Sequence, residues 1–227
     1  MEILHRNHLP LGGFAGLREH QLVVDPKVFG EQTGSKAFSG LGNFVYLADA
    51  RFQPHGETGM HPHREVDVLS FMIEGRIRHE GSLGQGQSLS AFDVQVQRAG
   101  GEGFTHNEIN PDEQQNRMIQ LFVLPDKAGE AADYRVYTTE AGNISHVYGG
   151  HEPDAHFTSG TIVETARLNP GQDYQIEHDY MVYLATGKGT ANGQPVEEGC
   201  LLKGSVLQFI AEETAYLIII RLAAPLD

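Results

Sequence analysis

Apolar and polar residues alternate through much of this chain, in short runs broken by glycine or proline. In "VDVLSFMIEG" (66–75), Val66, Val68, Ser70 and Met72 fall on one face and Asp67, Leu69, Phe71 and Ile73 on the other. Side chains of a strand point alternately to its two faces, so the pattern predicts a β-strand. Further strands are predicted over 43–52, 76–84, 93–100 and 116–125. In 93–100, Val94 and Val96 alternate with Gln95 and Gln97, the pattern of a half-buried strand. Turn residues recur about every ten positions, the rhythm of a sandwich or barrel. No long helical stripe appears, and 125–134 reads as a linker or a short helical turn.

The second half repeats the plan. Strands are predicted over 160–171, 180–204, 205–211 and 215–225. "VLSFMIEGRIRHEG" and "YMVYLATGKGTANG" overlay with Gly75 on Gly187, and the two halves close at Pro125 and Pro225. The repeat suggests duplication of a β-barrel module of roughly a hundred residues. The chain is therefore expected to be all-β, with His5 and His8 in a mobile N-terminus.

Composition narrows the function classes. With 227 residues, 40% of them hydrophobic, the chain can bury a substantial core. Its net charge is −14, and its 16 Lys and Arg form no cluster. Nucleic-acid affinity rests on basic side chains that release counterions, so direct DNA or RNA binding is not expected. Action through a protein partner stays open. A single cysteine, Cys200, excludes an internal disulfide framework. No transmembrane run and no signal-like N-terminus stand out, which fits a cytoplasmic protein without a membrane role.

The twelve histidines add candidate chemistry. His61 and His63 share a strand face, with Pro62 stiffening the link. His106 and Glu108 repeat the spacing after a glycine-rich turn. Two such pairs on neighbouring strands would offer three imidazoles and a carboxylate, a set suited to Fe, Mn, Co, Ni, Cu or Zn. Structural zinc favours thiolates, which this chain lacks apart from Cys200. The competing reading places both pairs among surface polar residues in turns.

Gly59, His61, His63, Asp67 and Gly75 resemble the first cupin motif, and Gly103, His106 and Asn110 the second. "HPHRE", "EGRIRHEGSLG", "DVQVQRAG" and "HNE" are similar to the pirin family, a branch of two-barrel cupins. The resemblance implies two cupin-type β-barrel domains packed together, an N-terminal one over 1–130 carrying the metal and a C-terminal one over 131–227. It implies Fe(II), with Mn, Co, Ni, Cu or Zn as alternatives, held by His61, His63, His106 and Glu108. Glu108 is preferred to Asp67 as the fourth ligand because it follows the pirin pattern and shares a face with His106. The implied activity is of quercetinase type, O₂-dependent cleavage of a flavonol, with Glu108 as general base. The implied alternative is a metal- or redox-sensing regulator acting through a protein partner. The family's glycine after HPHR is Glu65 here. In the second half Asp173, Gln175 and Ala211 take the positions of His61, His63 and His106, so no metal is expected there.

Overall fold

The computed structural model describes residues 1–31, 34–83, 87–152 and 155–224. The expected turn at Gly84 and the closing Pro225 lie outside these residues. The chain divides into two compact units, one of Leu9–Thr138 and one of Met1–His8 with the residues from Thr139 on. The alternating runs form strands, as the pattern predicts. No helix among the described residues is long and apolar enough to cross a membrane.

The chain opens with β1 (Glu2–His5), which belongs to the second unit. The first unit then runs through β2 (Leu17–Val24), the one-turn helix α1 (Pro26–Phe29), β3 (Phe44–Phe52), β4 (His61–His63) and β5 (Asp67–Glu74). It continues with β6 (Arg76–Gly81), β7 (Ser88–Ser90), β8 (Asp93–Arg98), β9 (Phe104–Ile109), β10 (Arg117–Val123) and β11 (Asp133–Thr138). One sheet has the order β11-β8-β5-β10-β3-β2, and the other the order β4-β9-β6-β7. Residues 125–132 form no helix.

The inward faces are apolar at one level and polar at the next. Leu17, Ala50, Phe52, Met72, Ile77, Leu89 and Met118 form an apolar cluster. Two residues along β5 and β10 from Met72 and Met118, Ser70 lies opposite Gln120, and Ser70 also faces Gln95 on β8. Gln95 and Gln97 are fully buried, so β8 is not the half-buried strand its alternation suggests. Strand periodicity reports two faces, and here both are covered.

Two backbone positions shape the neighbourhood of β4 and β9. Gly81 is the cross-strand partner of His106, and a Cβ on it would stand 2.2 Å from the Thr105 carbonyl oxygen. Only glycine allows β6 to approach β9 there. Glu65 has φ +52°, the left-handed conformation that suits the glycine the sequence resemblance leads one to expect there. Its carboxylate accepts from the Gly129 amide at 3.0 Å, a contact glycine cannot make.

The second unit comprises β1, β12 (Ile144–Gly150), β13 (Ser159–Leu168), β14 (Asp173–Ile176), β15 (Tyr180–Thr186), β16 (Lys188–Ala191), β17 (Gln194–Glu197), β18 (Cys200–Gly204), β19 (Leu207–Ala211) and β20 (Ala215–Leu222). Its sheets have the orders β1-β18-β15-β20-β13-β12 and β14-β19-β16-β17. The N-terminus, expected to be mobile, is an edge strand: Glu2–His5 pairs in register with Lys203–Cys200. The interior is almost wholly apolar, with Ile176, Val182, Leu202, Leu207, Phe209 and Ile219 among its members. Cys200 is buried in the same cluster, as its apolar run suggests.

The first unit also buries an ion pair. Arg117 is 0% exposed and donates to Asp49 from Nε at 2.9 Å and from Nη2 at 2.6 Å. Removing one partner leaves a charge without solvent, so Asp49→Ala is expected to cost about 3–5 kcal/mol. Replacing both residues with apolar ones of similar volume should cost much less. Urea unfolding of the single and double variants measures both. A single-variant loss below about 1 kcal/mol would count against a desolvated pair.

Candidate metal centre

Strands β4 and β9 pair with His61 opposite His106 and His63 opposite Phe104. The expected same-face spacing is realised: His61 and His63 both turn toward His106. His106 Nε2 lies 2.9 Å from His61 Nε2 and 3.1 Å from His63 Nε2. His106 is fully buried, and the other two are half-buried. Among the described residues, these three form a group whose ligand atoms all lie within 4.8 Å of one another.

Proton placement tests whether the trio suits a cation. His61 Nδ1 sits 2.8 Å from the Gly59 carbonyl, which can only accept, so Nδ1 carries the hydrogen and Nε2 a lone pair. Satisfying both contacts at His106 Nε2 would require that atom to donate and accept at once, or one N–H to serve two acceptors. A divalent ion removes the conflict. Metal–nitrogen bonds of about 2.0–2.1 Å at tetrahedral or octahedral angles separate ligand nitrogens by about 2.9–3.3 Å. The spacing here matches, and three neutral imidazoles fit the donor preference of borderline metals.

The surroundings keep His63 and His106 neutral. Burial and the neighbouring His61 lower His63 to a pKa of about 4. Burial, then His63, His61 and His79, lower His106 to about 2. The rings of Phe104 and Phe122 flank His63 at 5.2 and 5.7 Å, and Tyr46 stacks on Phe122 at 4.7 Å.

Glu108 is not within this group. It lies two residues beyond His106 on β9, 2% exposed, and is the cross-strand partner of His79. Its Oε1 accepts from Ser70 Oγ at 3.3 Å and its Oε2 from Gln120 Nε2 at 3.2 Å. Burial raises its carboxyl to about 7. Asp67 faces away from the histidines, since its neighbour Val68 packs with Phe104 on the inner face. It accepts from Arg98 Nε at 3.0 Å. Asp173 and Gln175 of β14 are exposed and bond to each other at 2.9 Å, and Ala211 joins the apolar interior. Ser70, Gln120, Gln95 and Gln97 were not distinguishable in sequence as lining residues; only the strand register brings them beneath the histidines.

Antiparallel barrels with an H-x-H pair facing a later histidine define a two-barrel protein of the cupin class. The Pirin family model matches residues 18–123, a little under half of the chain, and over that stretch the resemblance to pirins holds. It is 31% identical over 150 residues to the "Putative quercetin 2,3-dioxygenase" of Zymomonas mobilis, covering 62% of this chain and 63% of that one. It is 30% identical over 98 residues to the quercetin 2,3-dioxygenase of Escherichia coli K12, covering 43% of this chain and 42% of the relative. The matches thus span less than two thirds of these relatives' length. In fold it is similar to the E. coli pirin YhhW in complex with nickel(II), with a TM-score of 0.82 at 17% identity over 97% of this chain and 98% of that one.

The shifted groups give opposite pH signatures in metal-free protein. His63 and His106 titrate lower in the fold than in the unfolded chain, so stability falls as pH drops below about 6.5. Glu108 titrates higher in the fold. Its contribution is present below about 4.5 and lost as pH rises through about 7. Glu108→Gln should therefore gain stability relative to the parent chain between pH 5 and 8, about the range of that loss. Urea unfolding across that range checks it, and a constant difference would refute the raised carboxyl.

Proposed function

We propose that this protein binds a divalent metal ion through His61, His63 and His106, with Glu108 completing the set, and catalyses O₂-dependent cleavage of a flavonol. The observation that carries the reading is the convergence of three imidazole Nε2 atoms at 2.9 and 3.1 Å with no proton arrangement that gives each contact its own hydrogen. The relatives named as quercetin 2,3-dioxygenases supply the substrate class. Fe(II) is the ion the family resemblance favours, and the nickel(II) complex of a structural relative keeps other divalent ions in play.

When bound, the ion acts as a Lewis acid that acidifies a substrate hydroxyl and offers open positions for oxygen chemistry. The chain's own residues do the rest. Glu108, with a carboxyl near pH 7, is matched to take up a proton from that hydroxyl at neutral pH. Ser70 and Gln120 hold its two oxygens and fix the direction from which it acts. Phe104, Phe122 and Tyr46 give the mouth beside His63 flat apolar surfaces suited to an aromatic ring. The unit of Leu9–Thr138 thus carries the chemistry.

The test is metal analysis and O₂ uptake with a flavonol, on protein reconstituted with Fe, Mn, Co, Ni or Cu. His106→Ala should abolish metal retention. Glu108→Gln should lower kcat by about 10²- to 10⁴-fold. Asp67→Ala should retain the metal, so its loss in that variant alone would move the fourth ligand to Asp67. No turnover with any of these ions would sink the dioxygenase reading. A protein partner recovered in only one metal oxidation state would then favour the regulatory alternative.

A further inference from the structure

Behind the three histidines lies a fourth, His79 on β6, fully buried. Its Nε2 is 2.8 Å from the Leu83 carbonyl oxygen. A carbonyl only accepts, so Nε2 carries the hydrogen and Nδ1 is left as a bare acceptor. Among the described residues that Nδ1 has no hydrogen-bond partner, and it is buried. His106 presents the complementary defect. When its Nε2 faces a cation, its proton resides on Nδ1, and this buried Nδ1 also lacks a partner. The two rings are neighbours, with centroids 5.3 Å apart and planes tilted by 59°.

An unsatisfied buried donor beside an unsatisfied buried acceptor is costly as two orphans and favourable as a pair. Metal-ligating histidines nearly always donate their second N–H to an acceptor, which fixes the tautomer and aims the ring. We propose that His79 is the positioning residue of the metal centre: its Nδ1 accepts the Nδ1–H of His106, directly or across one buried water. The inference rests on the metal reading given above.

A polar chain holds His79 in turn. The Gln97 side-chain amide lies 3.3 Å from His79 Nε2 and 2.7 Å from the Gln95 amide, and the Tyr134 hydroxyl lies 3.1 Å from Gln95 and 2.8 Å from Gln87 Oε1. With both amide oxygens turned toward His79, Gln97 accepts from His79 Nε2–H, Gln95 accepts from Gln97 and donates to Tyr134, and Tyr134 gives its one hydrogen to Gln87. The row crosses β6, β8 and β11, so the orientation of His106 depends on three strands besides its own. An apolar side chain at position 79 would fill the same space and leave the His106 donor buried and unpaired.

The experiment titrates metal-free protein with Co(II) against a chromophoric chelator. His79→Leu should weaken Co(II) binding by about 10- to 100-fold, while His79→Gln, whose amide oxygen can accept, should stay within about threefold of the parent chain. A purely space-filling role would leave both variants alike. In Zn(II)-loaded parent protein, ¹⁵N-histidine NMR should show His79 unprotonated at Nδ1 and a His106 Nδ1–H protected from exchange. This second measurement decides the matter if the leucine variant does not fold. A leucine variant that binds Co(II) like the parent, or a His79 protonated at Nδ1, overturns the proposal and spares the metal reading. A parent chain that binds neither Co(II) nor Zn(II) overturns both.

Discussion

Three imidazole nitrogens pointing at one another set the constraint that the first unit is built around. Left to themselves they repel or compete for protons, and nothing in their own chemistry holds them together. The strands do. The register of β4 on β9 sets His61 against His106, the Gly59 carbonyl fixes the His61 tautomer, and Gly81 lets β6 close on the back of His106. Each device removes a freedom that would let the rings turn apart. The cost of holding unsatisfied nitrogens in a buried site is then offset when a cation takes the place of the missing protons.

The two units show what the constraint demands. They share a strand layout, with β14-β19-β16-β17 in the order of β4-β9-β6-β7. In the second unit Ile176 faces Leu207, with Phe209 and Ala191 filling the same interior. The few charges there satisfy one another: Glu164 accepts from Arg221 at 3.0 and 3.1 Å and from Tyr174 at 3.2 Å. An apolar interior needs no register beyond volume. The first unit instead buries Ser70, Gln95, Gln97, His79, His106 and Glu108, each of which must find a partner. That requirement pins the register of β5, β8, β9 and β10 more tightly than packing would.

Much of this was legible in the sequence. Alternation located the principal strands, and the i, i+2 spacing correctly placed His61 with His63 on one face. The facing of β4 and β9 came from resemblance rather than from the residues, because pairing across some 45 positions leaves no local mark. Gln95 and Gln97 misled, since a glutamine buried in a polar barrel and one in water alternate identically with valine. His79 bonds to the Leu83 carbonyl. What the sequence could not carry is that this bond strips its other nitrogen of a proton beside a nitrogen that needs an acceptor.

Glu108 illustrates the limit of face-sharing as an argument. Two residues along a strand share a face but differ by about 6.6–6.8 Å in height. His61 and His63 bridge that rise by turning to His106, whereas Glu108 turns to Ser70 and Gln120, where its carboxyl is held near a pKa of 7. Charge balance gives this placement a meaning on the proposed reading. Neutral His63 and His106 and a protonated Glu108 add no charge to the interior when no cation is present. A divalent cation adds two charges and ionisation of Glu108 cancels one; transfer of the flavonol proton to Glu108 then moves that negative charge onto the flavonolate beside the cation without changing the sum. A carboxylate fixed at the ordinary acidity would instead leave a buried negative charge before the cation arrived. Its raised pKa lets the same residue be neutral before loading and charged after it, and lets it take up the substrate's proton.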